Sequence, residues 1–151
     1  MNPEKEYAKL RKKNKEIPDW KWIRTNFRPI IYEGHFLEQL REEISDRIHQ
    51  AKNTIEPLIA GSENYCCWFE KKFLTAAERE EMFNIYKDLL SLVWSSNRLN
   101  VDFDEKNYIE WLLEVKRIWS KWRERMSYLF EKISTSWKEY EKEEEETVYR
   151  G

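Results

Sequence analysis

Residues 102–146 read DFDEKNYIEWLLEVKRIWSKWRERMSYLFEKISTSWKEYEKEEEE, and the spacing of their apolar side chains decides the fold class. Leu112, Val115, Trp119, Trp122, Met126, Leu129, Ile133 and Tyr140 recur at intervals of mostly three and four, which places them along one face of an α-helix. Asp102 followed by Glu105 predicts a capping-box start, and neither Pro nor Gly interrupts the run before Gly151. At 1.5 Å per residue the helix would be on the order of 60 Å long. A compact chain of this size has a radius of gyration of roughly 15 Å, so the far half of the seam needs cover from elsewhere. Ser134, Thr135 and Ser136 are the expected place for a break.

Upstream, the chain reads as shorter helices. Asn2 before Pro3 starts a basic helix over 3–15, with only Tyr7, Leu10 and Ile17 to bury. Asp19 caps a short turn carrying Trp20, Trp22, Ile23 and Phe27, which Pro29 terminates, and Ile30 to Tyr32 is expected to be extended. A helix after Gly34 presents Leu37, Leu40, Ile44, Ile48, Ala51 and Ile55, with Pro57 near its end. Tyr65, Trp68, Phe69 and Phe73 give a short aromatic connecting helix. Thr75 with Glu78 predicts a capping box for a helix faced by Met82, Phe83, Tyr86, Leu89, Leu90, Val93 and Trp94, and 97–101 is expected to form the last loop. The expected fold class is all-α: an elongated helical bundle with one very long C-terminal helix. It divides into a basic, aromatic segment (1–34), a bundle (35–142) and an acidic tail (143–151).

Composition agrees with that class. Of 151 residues, 37% are charged and 40% apolar, with only 3 Gly and 4 Pro, too few turn formers for a β-rich fold. The 8 Trp, 8 Tyr and 7 Phe exceed what amphipathic patterning requires, and such rings concentrate at interfaces as well as in cores. A net charge of -2 gives no overall attraction to nucleic acid or anionic membrane. The charges are nevertheless segregated: 1–28 is rich in Lys and Arg, and Glu143 to Glu146 is an acidic run. No apolar leader and no run of about 18 apolar residues is present, so a cytoplasmic location without membrane contact is expected.

Catalytic motifs are sparse. Glycines at 34, 61 and 151 alone leave no loop to cradle a nucleotide phosphate. His35 and His49 lie about 21 Å apart along a straight helix and cannot share one metal. Adjacent Cys66 and Cys67 disfavour a mutual disulfide and are expected to be small core residues. Glu43-x-x-Asp46 and Glu78-x-x-Glu81 resemble, in reversed order, the paired carboxylates with which pyrophosphohydrolases of the MazG class bind magnesium, but Glu78 also has a capping role. Arg41 and His49 are too far apart for the Arg–His motif of HEPN ribonucleases. No catalytic residue, cofactor or metal site is therefore assigned.

The leading expectation is a non-enzymatic helical subunit that mediates protein–protein assembly through Met126, Leu129, Ile133, Trp137 and Tyr140, either with itself as a dimer or larger assembly or with another helical protein. The second is a nucleic-acid-binding subunit of a ribonucleoprotein or DNA-packaging complex. There Trp20, Lys21, Trp22, Arg24 and Arg28, together with Lys116, Arg117, Lys121, Arg123 and Arg125, would supply stacking rings and phosphate contacts. In general outline the chain resembles the small helical subunits of archaeal or viral assemblies, including CRISPR effector complexes and viral nucleoproteins, although no motif matches one. A carboxylate-based metal-dependent hydrolase ranks third.

Overall fold

The computed structural model describes the backbone of residues 1–59 and 65–150 and the side chains of 1–59 and 66–140. Six helices follow in order, α1 (Pro3–Lys13), α2 (Trp20–Phe27), α3 (Phe36–Ile59), α4 (Tyr65–Phe73), α5 (Ala76–Val101) and α6 (Glu105–Arg150), with no strand among the described residues. The all-α class is therefore established. Asn2 Oδ1 accepts from the backbone N–H groups of Glu4 and Lys5 at 3.0 and 3.3 Å, opening α1 with Pro3 in its first turn. Asp19 caps α2 through Trp22 N–H at 2.8 Å, and Arg28, left-handed at φ 46, closes it ahead of Pro29. Thr75 and Glu78 form the expected capping box on α5.

The turn between α5 and α6 differs from the sequence expectation. Residues 97–101 are the last turn of α5 rather than a loop, and Asp102 closes that helix through its N–H to Arg98 O at 2.9 Å. The cap of α6 is Asp104, whose Oδ1 accepts from Lys106 N–H at 3.0 Å. Burial of Leu99 prolongs α5 where Asn97 and Asn100 suggest a turn. Likewise α6 runs unbroken through 134–136; Ser136 Oγ donates to Lys132 O at 2.7 Å, so its hydroxyl bonds within the helix instead of disrupting it.

The core forms where α3, α5 and α6 meet, with Leu40, Ile44, Ile48 and Ile55 of α3 and Met82, Ile85, Leu89 and Leu92 of α5 closing on Leu112, Val115 and Ile118 of α6. The amino-terminal helices cover its open side. Phe27 is fully buried with its ring centroid 4.9 Å from that of Trp119. Trp20 lies 5.5 Å from Tyr7 and 6.2 Å from Phe36. Buried polar tips find backbone acceptors: Tyr7 OH donates to Pro18 O at 2.5 Å, Tyr108 OH to Leu37 O at 2.7 Å, and Trp111 Nε1 to Leu92 O at 3.1 Å.

The expectation that the seam beyond Met126 lacks cover within the chain is corrected. Met126, Leu129 and Ile133 are buried. The short aromatic helix α4, expected only to connect its neighbours, lies against this end of α6: Phe73 meets Trp137 edge-on at 5.1 Å, and Phe69 sits 5.2 Å from Tyr140. Trp137 Nε1 donates to Glu70 at 3.2 Å. Two ion pairs tie the start of α5 to the same stretch, Arg125–Glu81 at 2.7 Å and Lys132–Glu78.

Burial raises the Tyr108 and Tyr7 phenols above their ordinary value of 10. A pKa higher in the folded chain favours folding fully below the unfolded value and loses that effect as pH rises beyond it. Thermal melts are expected to fall off above about pH 10, more shallowly in Tyr108→Phe, which also loses about 1 kcal/mol at neutral pH with its hydrogen bond.

Candidate functional site

Helix α5 is apolar on two sides. Met82, Ile85, Leu89, Leu92, Val93 and Leu99 face the core. Phe83, Leu90, Trp94 and Val101 point the other way: at roughly 100° per residue they fall within about 20° of a common direction, with Lys87 and Asn97 at the margins. Phe83 is 45% exposed, Trp94 67% and Val101 90%. The Lys87 ammonium lies 5.4 Å from the Phe83 ring centroid. The stripe runs for about 27 Å along the helix, flanked by exposed Ser91 and Ser95, which are small and uncharged and allow another helix to approach closely.

Trp94 stands out because six of the other tryptophans are core residues or pack against the core. Trp122 Nε1, for example, donates to Asp88 at 2.6 Å. Exposed Ile30 and Tyr32 lie in the loop after α2 and are not part of a helix. In the sequence the two apolar faces of α5 run together, and the signal that separates them is the seven–four–seven spacing of Phe83, Leu90, Trp94 and Val101.

The residues expected to form an interface on α6 are largely occupied. Met126, Leu129 and Ile133 are enclosed by their own chain, and Trp137 and Tyr140 are half-buried against α4. The structure covers three of those five and leaves Trp137 and Tyr140 partly open. The rings expected to stack on bases are also engaged: Trp20 as described, Trp22 5.8 Å from Phe27, and Trp119 on Phe27.

Of the associated bases, Lys21, Arg24, Arg28 and Arg123 are exposed. Arg117 pairs with Glu114 at 2.7 Å, Arg125 with Glu81, and Lys121 lies 3.9 Å from Asp88. Lys116 Nζ donates to Glu16 O at 3.3 Å. The 116–125 stretch is thus threaded with its own acidic partners.

Of the paired carboxylates Asp46 is exposed, and the other three are committed. Glu43 accepts from Ile30 N–H at 3.2 Å. The Glu78 carboxyl is held below its ordinary pKa by Lys132 first and by the Thr75 N–H second, and Glu81 is taken by Arg125. No three His, Cys, Asp or Glu side chains converge among the described residues. Cys67 is buried as expected, whereas Cys66 is exposed. No helix among the described residues is long and apolar enough to cross a membrane.

No protein-family model, curated protein or solved structure matches the chain. Two substitutions separate the faces now distinguished. In dilute solution Ile133→Asp is expected to cost about 2–4 kcal/mol, because it puts an unpaired charge under the chain's own cover. Trp94→Asp is expected to change stability by no more than about 0.5 kcal/mol, as for other exposed positions. Urea titration followed by circular dichroism measures both.

Proposed function

We propose that this protein is a non-enzymatic assembly subunit, an elongated helical bundle framed by α6, that pairs with a second copy of itself through the outward stripe of α5. The observation that carries this reading is the symmetry of the stripe. Phe83, Leu90, Trp94 and Val101 are spaced seven, four and seven, so the pattern is unchanged when reversed about residue 92. An antiparallel copy related by a two-fold axis sets Phe83 against Val101 and Leu90 against Trp94, a larger side chain facing a smaller one at each level. Such a contact is self-complementary, as a closed dimer requires.

Charge at the margin gives the reading a specific signature. In this pairing Lys87 and the Arg98 of the second copy share one flank, and exposed like charges cost a few tenths of a kcal/mol each. Salt screens that repulsion and leaves the apolar contact intact. A single helix stripe falls at the small end of interface sizes, so micromolar affinity is expected.

Sedimentation velocity from low to high micromolar protein tests the reading. It predicts a dimer that tightens with added salt and with Lys87→Glu, and a monomer in Leu90→Asp and Trp94→Asp. A monomer at every concentration, or a dimer indifferent to Leu90→Asp and Trp94→Asp, would overturn it. Nucleic-acid binding at low salt, lost on replacing Lys21, Arg24 and Arg28, would replace it with the second expectation.

A further inference from the structure

A cavity of about 570 Å³ opens where α1, the first turn of α3, the end of α5 and the start of α6 meet. Its volume lies within the range of small-molecule sites, and it is distant in function from the α5 stripe, so the two proposals stand or fall separately. One wall is apolar, formed by Leu10, Phe36, Leu37, Leu99 and the half-exposed ring of Phe103.

Arg41 gives the cavity its chemistry. The residue is only 5% exposed, and long charged side chains are rarely buried without an opposite charge. Its guanidinium nevertheless meets neutral oxygens alone: Nη1 donates to Ser96 O at 3.3 Å and Ser96 Oγ at 3.0 Å, and Nη2 donates to Asn100 Oδ1. Among the described residues no carboxylate forms an ion pair with it. The last turn of α5 offsets only about half a charge. Three of the five guanidinium donors are used, leaving Nε–H and one Nη2–H, two donors that match one carboxylate or phosphate group.

Of the surroundings, the backbone of α3 shares the positive sign, while Glu38 in its first turn opposes it. The first turn of α3 lines the cavity, and none of the N–H groups of Phe36, Leu37 and Glu38 is capped by a side chain, so the positive end of that helix faces the same space. Lys9 and Lys13 also line it but are balanced by Glu6 and Glu105. Glu38 is exposed and does not pair with Arg41.

We infer that this cavity binds a small organic anion, its carboxylate or phosphate head on Arg41 and the first turn of α3, its apolar body against Leu99 and Phe103. Octanoate, 3-phenylpropionate and phenyl phosphate are the probes, with octanol and 3-phenylpropanol as neutral counterparts. Binding is followed by nuclear magnetic resonance shifts of His35, Leu99 and Asn100 in the full chain. At least one anion is expected to bind at least tenfold more tightly than the neutral compounds; octanoate against phenyl phosphate tells a carboxylate head from a phosphate. Arg41→Leu removes the head contact. Because that variant also loses contacts to α5, Phe103→Asp serves beside it: Phe103 is exposed, the variant is expected to keep its fold, and the added charge is expected to weaken binding at least tenfold. Equal binding of neutral and anionic probes, no binding of any anion at millimolar concentration, or anion binding unaffected by Phe103→Asp would overturn the inference.

Discussion

A helix that carries an apolar seam along most of its length must have that seam covered along the same length, and this requirement organises the chain. From Tyr108 to Ile133 the inward residues of α6 are buried, yet no single neighbour supplies all the cover. The amino-terminal helices bring Phe27 to Trp119, α5 runs beside the middle, and α4 brings Phe69 and Phe73 to Trp137. The aromatic richness of the chain follows from this division, since large rigid rings fill the wide gaps between short helices and a long one with little loss of rotamer freedom.

Polar tips then fix the register of these contacts. Apolar burial alone tolerates sliding of one helix along another, whereas the indole N–H of Trp111, Trp122 and Trp137 each has one acceptor, on Leu92, Asp88 and Glu70 respectively. Arg125–Glu81 and Lys132–Glu78 add charge pairing along the same boundary. Being partly exposed, these pairs contribute more to alignment than to stability. Within the α3–α5 contact, Ser45, Ser96 and Arg41 form a further polar set, with the two hydroxyls 2.7 Å apart.

Local signals in the sequence were strong where the physics is local. Asn2, Asp19 and Thr75 cap helices as their side chains dictate, and the buried face of α6 follows directly from its period. Failures came where tertiary contacts decide. Asp102 and Asp104 are both plausible caps, and only the continuation of α5 through Leu99 selects the second. Nine residues of α4 gave no hint that their partner lay more than sixty positions downstream. The stripe on α5 was legible as spacing, but which of the helix's two apolar faces stayed outside depends on how α3 and α6 pack on the other. Arg41 enters the sequence only as half of an Arg–His motif that is not met, because nothing in the sequence indicates that Ser96 and Asn100 would enclose it.

We propose that the outward stripe of α5 serves assembly, since the described part of the α6 seam is covered within the chain as far as Ile133, and the symmetry of its spacing fits an antiparallel geometry. The most direct measurement is the distance between spin labels at Asp102→Cys in two copies, with Cys66 and Cys67 replaced by Ser and Ala. Ten residues from the symmetry centre on each helix correspond to about 30 Å along the axis, the separation this account predicts. A distance of about 10 Å, as a parallel pair would give, or the absence of any dipolar coupling between copies at high micromolar concentration, would contradict it.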